Sequence, residues 1–340
     1  MEASCSSFTC SSTDKKHFIG RTYDEYGDIS RNKVVIIPKG HKILLTFNTN
    51  ESNREQIVRY AMVGMNVSGL ITPLLTEGMN ERGLMGTLLF FPHFAKFNTK
   101  KAVYNVNAGL LLPFVLGKSK NIEEAVQLMN DINVINELGT GLDLPCHYMF
   151  SDRTGEAVVV EPLENGLKIY RSEIGVLTNA PTYEWHKINL CNYLGTSNLA
   201  RKPQKVVDYT ISELGEGTGY LGLPGDYTPV SRFVRLAFSK NFMPTPVDEI
   251  DAVNKMFNVF ECVDVPEGAI YTPPEEKTPY HEKTLCTSVM CSESLKYYFS
   301  TSTNCRICCV DLSKEIINID VDAVMKEISI PFEQDILNLN

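Results

Sequence analysis

The sequence predicts an α+β fold of four layers, in which two antiparallel β-sheets lie between two layers of helices (αββα). Short segments rich in β-branched and aromatic residues, bounded by turn residues, are typical of antiparallel strands. Two helical segments interrupt these strands, which favours layered packing. The 340 residues contain no repeat, no low-complexity tract and no long Pro/Gly/Ser linker, and 43% of them are hydrophobic. We therefore expect residues 5–340 to form one domain.

The first predicted strand pair organises the chain and runs from Cys5 to Asp24, with the sequence CSSFTCSSTDKKHFIGRTYD. Alternating apolar and polar residues with little charge predict a buried strand, and the polar residues 12–16 predict a turn. Two strands joined by this turn would bring Arg21 and Asp24 back beside Cys5.

Cys5 can act as a nucleophile if it becomes the first residue of the mature chain. A free α-amine has a pKa near ~8 and a thiol near ~8.5, so the amine can take the thiol proton and no histidine base is required. Asp24 would then hold the amine, and the positive charge of Arg21 would favour the thiolate. This chemistry requires removal of residues 1–4, a short leader that lacks the positive charge and apolar core of a signal peptide.

The other cysteines are weaker candidates. Cys10 is the alternative nucleophile, but it lies five residues further along the strand, faces the opposite side and lacks the spacing to Arg and Asp. A purely structural role for both thiols stays open. The remaining cysteines suit buried thiols in a reducing compartment. Cys305 and Cys308 have no second ligand pair at zinc spacing, so we predict no metal, and no cofactor is expected.

Charge and hydropathy restrict the partners. The net charge is −9 and there is no basic run, which makes nucleic acid and anionic membrane surfaces poor partners. No apolar run reaches the roughly 20 residues that cross a bilayer. We expect a cytoplasmic protein that acts on a small molecule.

The stretch from Cys5 to Asp24 resembles the N-terminus of the choloylglycine hydrolase family, the bile salt hydrolases and penicillin V acylases. These are N-terminal-nucleophile (Ntn) hydrolases that cleave amides. Their Cys is followed by Arg sixteen and Asp nineteen residues later, and Cys5, Arg21 and Asp24 match this spacing. The resemblance extends to about residue 310. It implies the Ntn-hydrolase αββα sandwich and a homo-oligomer, a tetramer in this family.

The next predicted strands cover residues 33–38, 42–47 and 60–65, and a turn at residues 78–83 precedes another. This last segment resembles the family's Gly-x-Asn-Glu-x-Gly-Leu, whose strand ends at an oxyanion-hole position. Phe90 occupies that position, where bile salt hydrolases usually have Asn and penicillin V acylases Tyr. A backbone N–H can polarise a carbonyl whatever the side chain. The alternative interpretation is that Phe90 and Phe91 are ordinary aromatic residues of the core.

Residues 102–137 are predicted to form two helices, the second capped by Asn121 with Glu124 three residues later. Strands follow at residues 147–151, 157–162, 167–170 and 175–178. The next segment, residues 178–186, resembles the family's Thr-Asn-x-Pro-x-x-x-Trp-His. The resemblance gives Asn179 the role of a second oxyanion donor through its NH2 group, and we expect His186 to be structural.

The glycine-rich run at residues 214–225 lacks the Lys-Ser/Thr and βαβ context of a phosphate loop. With the residues after it, it resembles the family's Gly-Leu-Pro-Gly-Asp-x-Thr/Ser-x-x-Ser-Arg-Phe. Arg232 matches the family's catalytic arginine, placed to support the thiolate or polar substrate groups. A helix is predicted at residues 246–260, capped by Thr245, and strands at 286–291 and 296–299 complete the sheet.

The resemblance implies a cysteine amidohydrolase that forms a thioester on Cys5. The aromatic Phe90 and residues 265–272, a segment that resembles one in penicillin V acylases, favour penicillin V as substrate, with conjugated bile salts as the alternative. Tyr23 stands where the family often has Met, which alters the acyl pocket and leaves an acyl-homoserine lactone as a further alternative. An apolar substrate-binding wall is expected from four aromatic residues: Tyr23, Phe90, Phe91 and Tyr148. A non-catalytic binding protein of the same fold is the alternative of a different class.

Overall fold

The computed structural model of the chain describes residues 4–97, 102–137, 144–272, 280–317 and 324–340. Its strands, in chain order, are β1 (Ser4–Ser11), β2 (His17–Tyr26), β3 (Asn32–Ile37), β4 (Lys42–Leu44), β5 (Glu55–Ile57), β6 (Met62–Val67), β7 (Leu75–Asn80), β8 (Met85–Phe90), β9 (Tyr104–Asn107), β10 (Ile132–Ile135), β11 (Cys146–Ser151), β12 (Ala157–Leu163), β13 (Gly166–Arg171), β14 (Val176–Leu177), β15 (Gln204–Val206), β16 (Tyr209–Ile211), β17 (Ile270–Thr272), β18 (Tyr280–Cys291), β19 (Lys296–Thr301), β20 (Asn304–Asp311) and β21 (Lys326–Ile328).

The helices, in chain order, are α1 (Leu111–Lys118), α2 (Ile122–Met129), α3 (Tyr183–Asn189), α4 (Pro229–Phe242), α5 (Glu249–Phe260) and α6 (Leu312–Ile317). Across the described ranges, none of them has the length and apolar character needed to cross a membrane.

Two antiparallel sheets form the centre of the molecule. Sheet A has the strand order β14-β1-β2-β18-β19-β20, with β17 paired to β18. Sheet B has the order β13-β12-β11-β8-β7-β6-β3-β21. Neighbouring strands therefore come from distant parts of the chain, and β2 lies between β1 and the much later β18.

Helices cover the outer face of each sheet. On sheet A, Phe8 packs against Phe260 of α5, with ring centroids 4.6 Å apart. On sheet B, a separate apolar cluster joins strand residues on the helix side, such as Val35 and Tyr148, to Leu112 of α1. The predicted α+β fold of αββα layers is confirmed.

Alternation along β1 and β2 assigns their side chains to the two faces of sheet A. Cys5 lies opposite Tyr23 and Ser7 lies opposite Arg21, so these four share one face. That face points towards sheet B, because the Thr87 hydroxyl of β8 donates to Ser7 Oγ at 3.2 Å. Phe8, Cys10 and Asp24 alternate with them and face the helices.

Gly20 precedes Arg21 at a point of close approach. A Cβ atom there would come within 2.6 Å of Ser288 O and 2.8 Å of Phe260 Cε2. The bare glycine therefore allows α5 to pack directly on the β2–β18 pair.

Several predicted boundaries were wrong for local reasons. Residues 102–137 contain two short helices as predicted, but they also contain β9 and β10, a parallel pair. The helix expected from residue 246 begins at Glu249, because Asp248 rather than Thr245 caps it by accepting from Asp251 N at 2.9 Å. The turn expected at residues 78–83 starts later, since β7 continues to Asn80 and the Asn80 side chain accepts from Leu84 N at 3.1 Å.

Candidate active site

Cys5 is buried in β1 and its sulfur has a cationic partner. The Arg21 guanidinium donates from Nη2 to Cys5 Sγ at 2.7 Å. Burial raises the pKa of the Cys5 thiol to about 11, and the positive charge of Arg21 lowers it by a smaller amount. With Ser4 still attached to Cys5, the neutral thiol is therefore the stable form.

The Arg21 side chain is inserted where two strands of sheet B separate. The pairing of β7 with β8 ends at Glu77 and Thr87. Beyond that pair, Arg21 Nη1 donates to Thr76 O at 2.6 Å and to Leu88 O at 2.8 Å. The guanidinium thus satisfies two carbonyls that an unbroken ladder would pair, and its position is held by both strands.

A cavity of about 230 Å³ opens beside Cys5 on this side of the molecule. Its walls are mainly apolar and include Tyr23, Leu74, Leu88, Phe90 and Leu144. Such a cavity suits an apolar acyl group held next to the sulfur.

Phe90 lies at the edge of this cavity, and the hydrogen bonds around it indicate where its backbone N–H points. The Phe91 N–H donates to Pro145 O at 2.5 Å, towards β11. Because successive N–H groups of a strand point to opposite edges, the Phe90 N–H points towards the β7 edge, past the end of the β7–β8 pairing. It is therefore directed into the gap next to Cys5.

Asn179 connects Cys5 with Phe90. Its Oδ1 accepts from Cys5 N at 2.8 Å and from Arg232 Nη2 at 2.7 Å, and its Nδ2 donates to Phe90 O at 2.7 Å. A guanidinium only donates, so this contact determines which end of the amide is the oxygen. The donor end of Asn179 therefore lies on the Phe90 side.

Arg232 and Asp24 occupy the other face of sheet A. Arg232 is fully buried and donates from Nη1 to Cys5 O and to Ser6 Oγ, both at 2.6 Å. It thus contacts the backbone of Cys5 and not its sulfur, which differs from the expected support of a thiolate. Asp24 Oδ2 lies 4.0 Å from Arg232 Nη1, and Asp24 Oδ1 accepts from the Thr284 hydroxyl at 2.7 Å.

Asp24 does not hold the Cys5 nitrogen while Ser4 is attached. In the strand register Asp24 lies opposite Ser4, one residue before Cys5, and the Cys5 N–H donates to Asn179 instead. Burial raises the pKa of Asp24 to about 7, although Arg232 opposes the shift. Asp24 is therefore a carboxyl group that can change protonation near neutral pH.

Two buried histidines contact the backbone carbonyls of the segment that carries Asn179. His186 Nε2 lies 3.1 Å from Asn179 O, and its ring stacks on Phe233 with centroids 4.5 Å apart. Burial lowers the pKa of His186 to about 4, so the ring is neutral and donates. His147 Nε2 lies 2.7 Å from Thr178 O. This geometry agrees with the expectation that His186 is structural.

The predicted substrate wall is only partly formed. Tyr23 and Phe90 line the cavity next to Cys5. Phe91 is fully buried and stacks on His147 at 4.3 Å, behind the site. Tyr148 is fully buried on the helix side of sheet B, where its hydroxyl donates to Ala108 O at 2.6 Å. The structure thus corrects the expectation that Phe91 and Tyr148 contact substrate.

Two residues next to Arg21 were not anticipated. Glu77 lies 3.5 Å from Arg21 Nη1 and accepts a hydrogen bond from the Tyr297 hydroxyl at 2.6 Å. The available signal was a carboxylate inside an otherwise uncharged, buried strand, because such a group requires a partner in the core.

The chain is similar to known proteins in sequence and in fold. The family model described as linear amide C–N hydrolases, choloylglycine hydrolase family, matches residues 5–325. The chain is 33% identical over 319 residues to a bile salt hydrolase/transferase of Clostridium perfringens, covering 92% of this chain and 93% of that protein. A crystal structure of a mutant conjugated bile acid hydrolase from Clostridium perfringens superposes with a TM-score of 0.87 at 31% identity, covering 99% of this chain and 100% of the other. Penicillin V acylase from Agrobacterium tumefaciens, at 21% identity and a TM-score of 0.71 over 91% of this chain and 87% of the other, shares the fold.

Proposed function

The chain belongs to the choloylglycine hydrolase family of linear amide C–N hydrolases, and we propose that Cys5 is its nucleophile and hydrolyses an N-acyl amide through a thioester. The observation that supports this most directly is the 2.7 Å contact between Arg21 Nη2 and Cys5 Sγ beside an apolar cavity. A buried cation aimed at a thiol stabilises the thiolate that attacks.

The first step is removal of residues 1–4. The Cys5 nitrogen is an amide while Ser4 is attached, and an amide nitrogen is not a base. Cleavage of the Ser4–Cys5 bond turns it into an amine beside Asn179 Oδ1, which already accepts from it at 2.8 Å. The amine can then take the thiol proton.

Turnover follows from the positions of these groups. The Cys5 thiolate attacks the amide carbon, and the oxyanion accepts hydrogen bonds from Phe90 N–H and the Asn179 NH2 group. The Cys5 ammonium gives its proton to the departing nitrogen, which leaves as the free amine, while the acyl group stays on Cys5 Sγ as a thioester. The α-amine then takes a proton from water, hydroxide attacks the thioester, and the acid leaves as the thiol is restored.

For the acyl group, we propose a conjugated bile salt before penicillin V. This reverses the order expected from Phe90 and residues 265–272. The relatives named for bile salt hydrolysis favour it, since they are 33% and 30% identical to this chain, whereas the penicillin V acylase is 21% identical. The apolar walls next to Cys5 suit the hydrocarbon part of such a substrate.

The test compares kcat/KM for glycocholate, taurocholate and penicillin V on one preparation, with Cys5→Ala as the control. We expect a bile salt to be hydrolysed at least tenfold more efficiently than penicillin V, a difference of about 1.4 kcal/mol in transition-state binding. The reverse ratio would overturn the choice of acyl group. Hydrolysis by Cys5→Ala would overturn the nucleophile, and tight binding without turnover would indicate a binding protein.

We also propose that the chain forms homo-oligomers through the exposed β15–β16 hairpin. Its apolar residues Val207 and Tyr209 are 87% and 75% exposed, and clustered exposed apolar residues are typical of interfaces. Sedimentation of Tyr209→Glu should show smaller particles than the unmodified chain. Ile71→Ser, at another exposed apolar residue, should leave the particle size unchanged.

A further inference from the structure

Glu77 is a charged residue in the core between the two sheets. It lies in β7 and is 1% exposed. Burying a carboxylate is costly unless it is paired and hydrogen-bonded. The groups that contact Glu77 therefore indicate which charge it neutralises.

The Glu77 carboxylate faces Arg21 and accepts hydrogen bonds from two hydroxyl groups. Oε2 lies 3.5 Å from Arg21 Nη1 and accepts from the Thr76 hydroxyl at 2.7 Å, and Oε1 accepts from the Tyr297 hydroxyl at 2.6 Å. Burial, with Glu77 as a further cause, raises the pKa of Tyr297 well above its usual value, so Tyr297 is a neutral donor. The carboxylate is thus held by donors from β7 and β19 and directed at the guanidinium from β2.

Two buried ion pairs flank Cys5, one on each face of sheet A. Arg232 faces Asp24 on the helix side, and Arg21 faces Glu77 between the sheets. The carbonyls of Thr76 and Leu88 also accept from Arg21, but they carry no net charge. Glu77 is therefore the carboxylate that forms an ion pair with the arginine at the sulfur.

We propose that Glu77 is a positioning residue for the reaction: it fixes the Arg21 guanidinium against the Cys5 sulfur and shares its positive charge, which sets the pH at which the thiolate forms. The inference rests on the proposed role of Cys5 as nucleophile. A guanidinium held between two anions stabilises each of them less than it would stabilise one alone. Removal of the Glu77 charge should therefore make the thiolate easier to form, while the looser Arg21 slows the chemical step.

Several other titratable groups face this pair. They are Tyr23 and Asp24 from β2, Cys146 from β11, Arg232 from α4, and Cys286 and Tyr297 from β18 and β19. Substitutions limited to Glu77 and Tyr297 keep the remaining charges in place.

The experiment measures the rate at which iodoacetamide alkylates Cys5 as a function of pH, by peptide mass spectrometry of the full chain. Glu77→Gln preserves shape and removes the charge, and Tyr297→Phe loosens Glu77 but keeps its charge. We expect the alkylation midpoint of Cys5 to fall by about one pH unit in Glu77→Gln and by less than about a third of that in Tyr297→Phe. The exposed thiols Cys191 and Cys305 serve as internal references and should not shift.

Turnover provides a second, separate measurement. We expect kcat to fall about tenfold or more in Glu77→Gln with little change in KM, because the substrate does not contact Glu77. An unchanged Cys5 midpoint in folded Glu77→Gln would overturn the inference even if the enzyme is active. If Glu77→Gln does not fold, Glu77→Asp is the substitute, because it keeps the negative charge but moves it away from Arg21. We then expect an unchanged alkylation midpoint of Cys5 and a lower kcat. A shifted midpoint with a normal kcat would overturn the inference. Because alkylation needs no substrate, failure of the proposed amidase activity would be recognised independently.

Discussion

Arg21 Nη2 lies 2.7 Å from Cys5 Sγ, although Arg21 is paired with Ser7 and not with Cys5 in the strand register. The long guanidinium side chain therefore reaches along β2 by the length of two residues. It does so because Nη1 is held by the carbonyls of Thr76 and Leu88 in the other sheet. The reactivity of the thiol thus depends on how sheet B is positioned against sheet A.

The first prediction concerns maturation. Cys5 cannot use an α-amine until Ser4 is removed, so the active chain should begin at Cys5. Intact-mass measurement should show loss of residues 1–4 in the unmodified chain and in Cys10→Ala, which is the matched control on the same strand. Cys5→Ala should keep Ser4 if the thiol cleaves its own preceding bond. Activity in a chain that retains Ser4 would rule out the α-amine as the base.

The second prediction separates the two ends of the Asn179 amide. Asn179→Asp keeps an oxygen that can accept from Arg232 and from the Cys5 nitrogen but removes the NH2 donor. We expect kcat to fall by about 10² to 10³ with a small change in KM, because an oxyanion donor is lost. Asn179→Ala removes both ends and should be at least as severe. Equal kcat in Asn179→Asp and the unmodified enzyme would exclude the NH2 group from the oxyanion hole.

The residues of the site differ in how far the sequence predicts them. Cys5, Arg21 and Asp24 lie on one hairpin, where spacing and alternation determine which residues are neighbours, and a short segment suffices. The Arg21–Glu77–Tyr297 contacts join β2, β7 and β19, which meet only when the two sheets stack. No local pattern in the sequence contains that information.

Tyr148 was misplaced for a related reason. All six residues of β11 are buried, because helices cover one face of sheet B and sheet A covers the other. Apolar and polar residues therefore do not alternate clearly along this strand, and its pattern cannot tell which face a given aromatic side chain joins. The fold class was predictable because it depends on element types and order, which β-branched content and caps such as Asn121 encode locally.

The third prediction tests this correction. Tyr148→Phe removes the hydroxyl that donates to Ala108 O and leaves a buried carbonyl without that donor. The free energy of unfolding should fall by about 1 to 3 kcal/mol in urea titrations, while KM stays unchanged. Tyr23→Ala should instead change kcat/KM for acyl groups of different size, because Tyr23 lines the cavity. A changed KM in Tyr148→Phe would restore its role in substrate binding.

The fourth prediction is that His186 makes folding sensitive to acid. Burial lowers its pKa to about 4 in the folded chain, below the ordinary value of 6.5. Above pH 6.5 neither state binds the proton, and the stability from the neutral ring is complete. As the pH falls towards 4, only the unfolded chain takes up the proton, so the free energy of unfolding should fall by up to about 3 kcal/mol. Asp24 acts in the opposite direction, because its raised pKa of about 7 makes the folded chain bind a proton more readily than the unfolded chain.

Difference measurements isolate the histidine from Asp24. In a Cys5→Ala background, in which we expect Ser4 to stay attached, urea unfolding at pH 7.5, 6 and 5 should show that His186→Gln loses less stability on acidification than its parent, by about 2 kcal/mol at pH 5. His281→Gln, at an exposed histidine, should follow the parent at every pH. Asp24→Asn should lose more stability than the parent, because it removes the proton uptake that opposes His186. Parallel curves for the parent and His186→Gln would mean that His186 is not buried in its neutral form and does not hold Asn179 from behind.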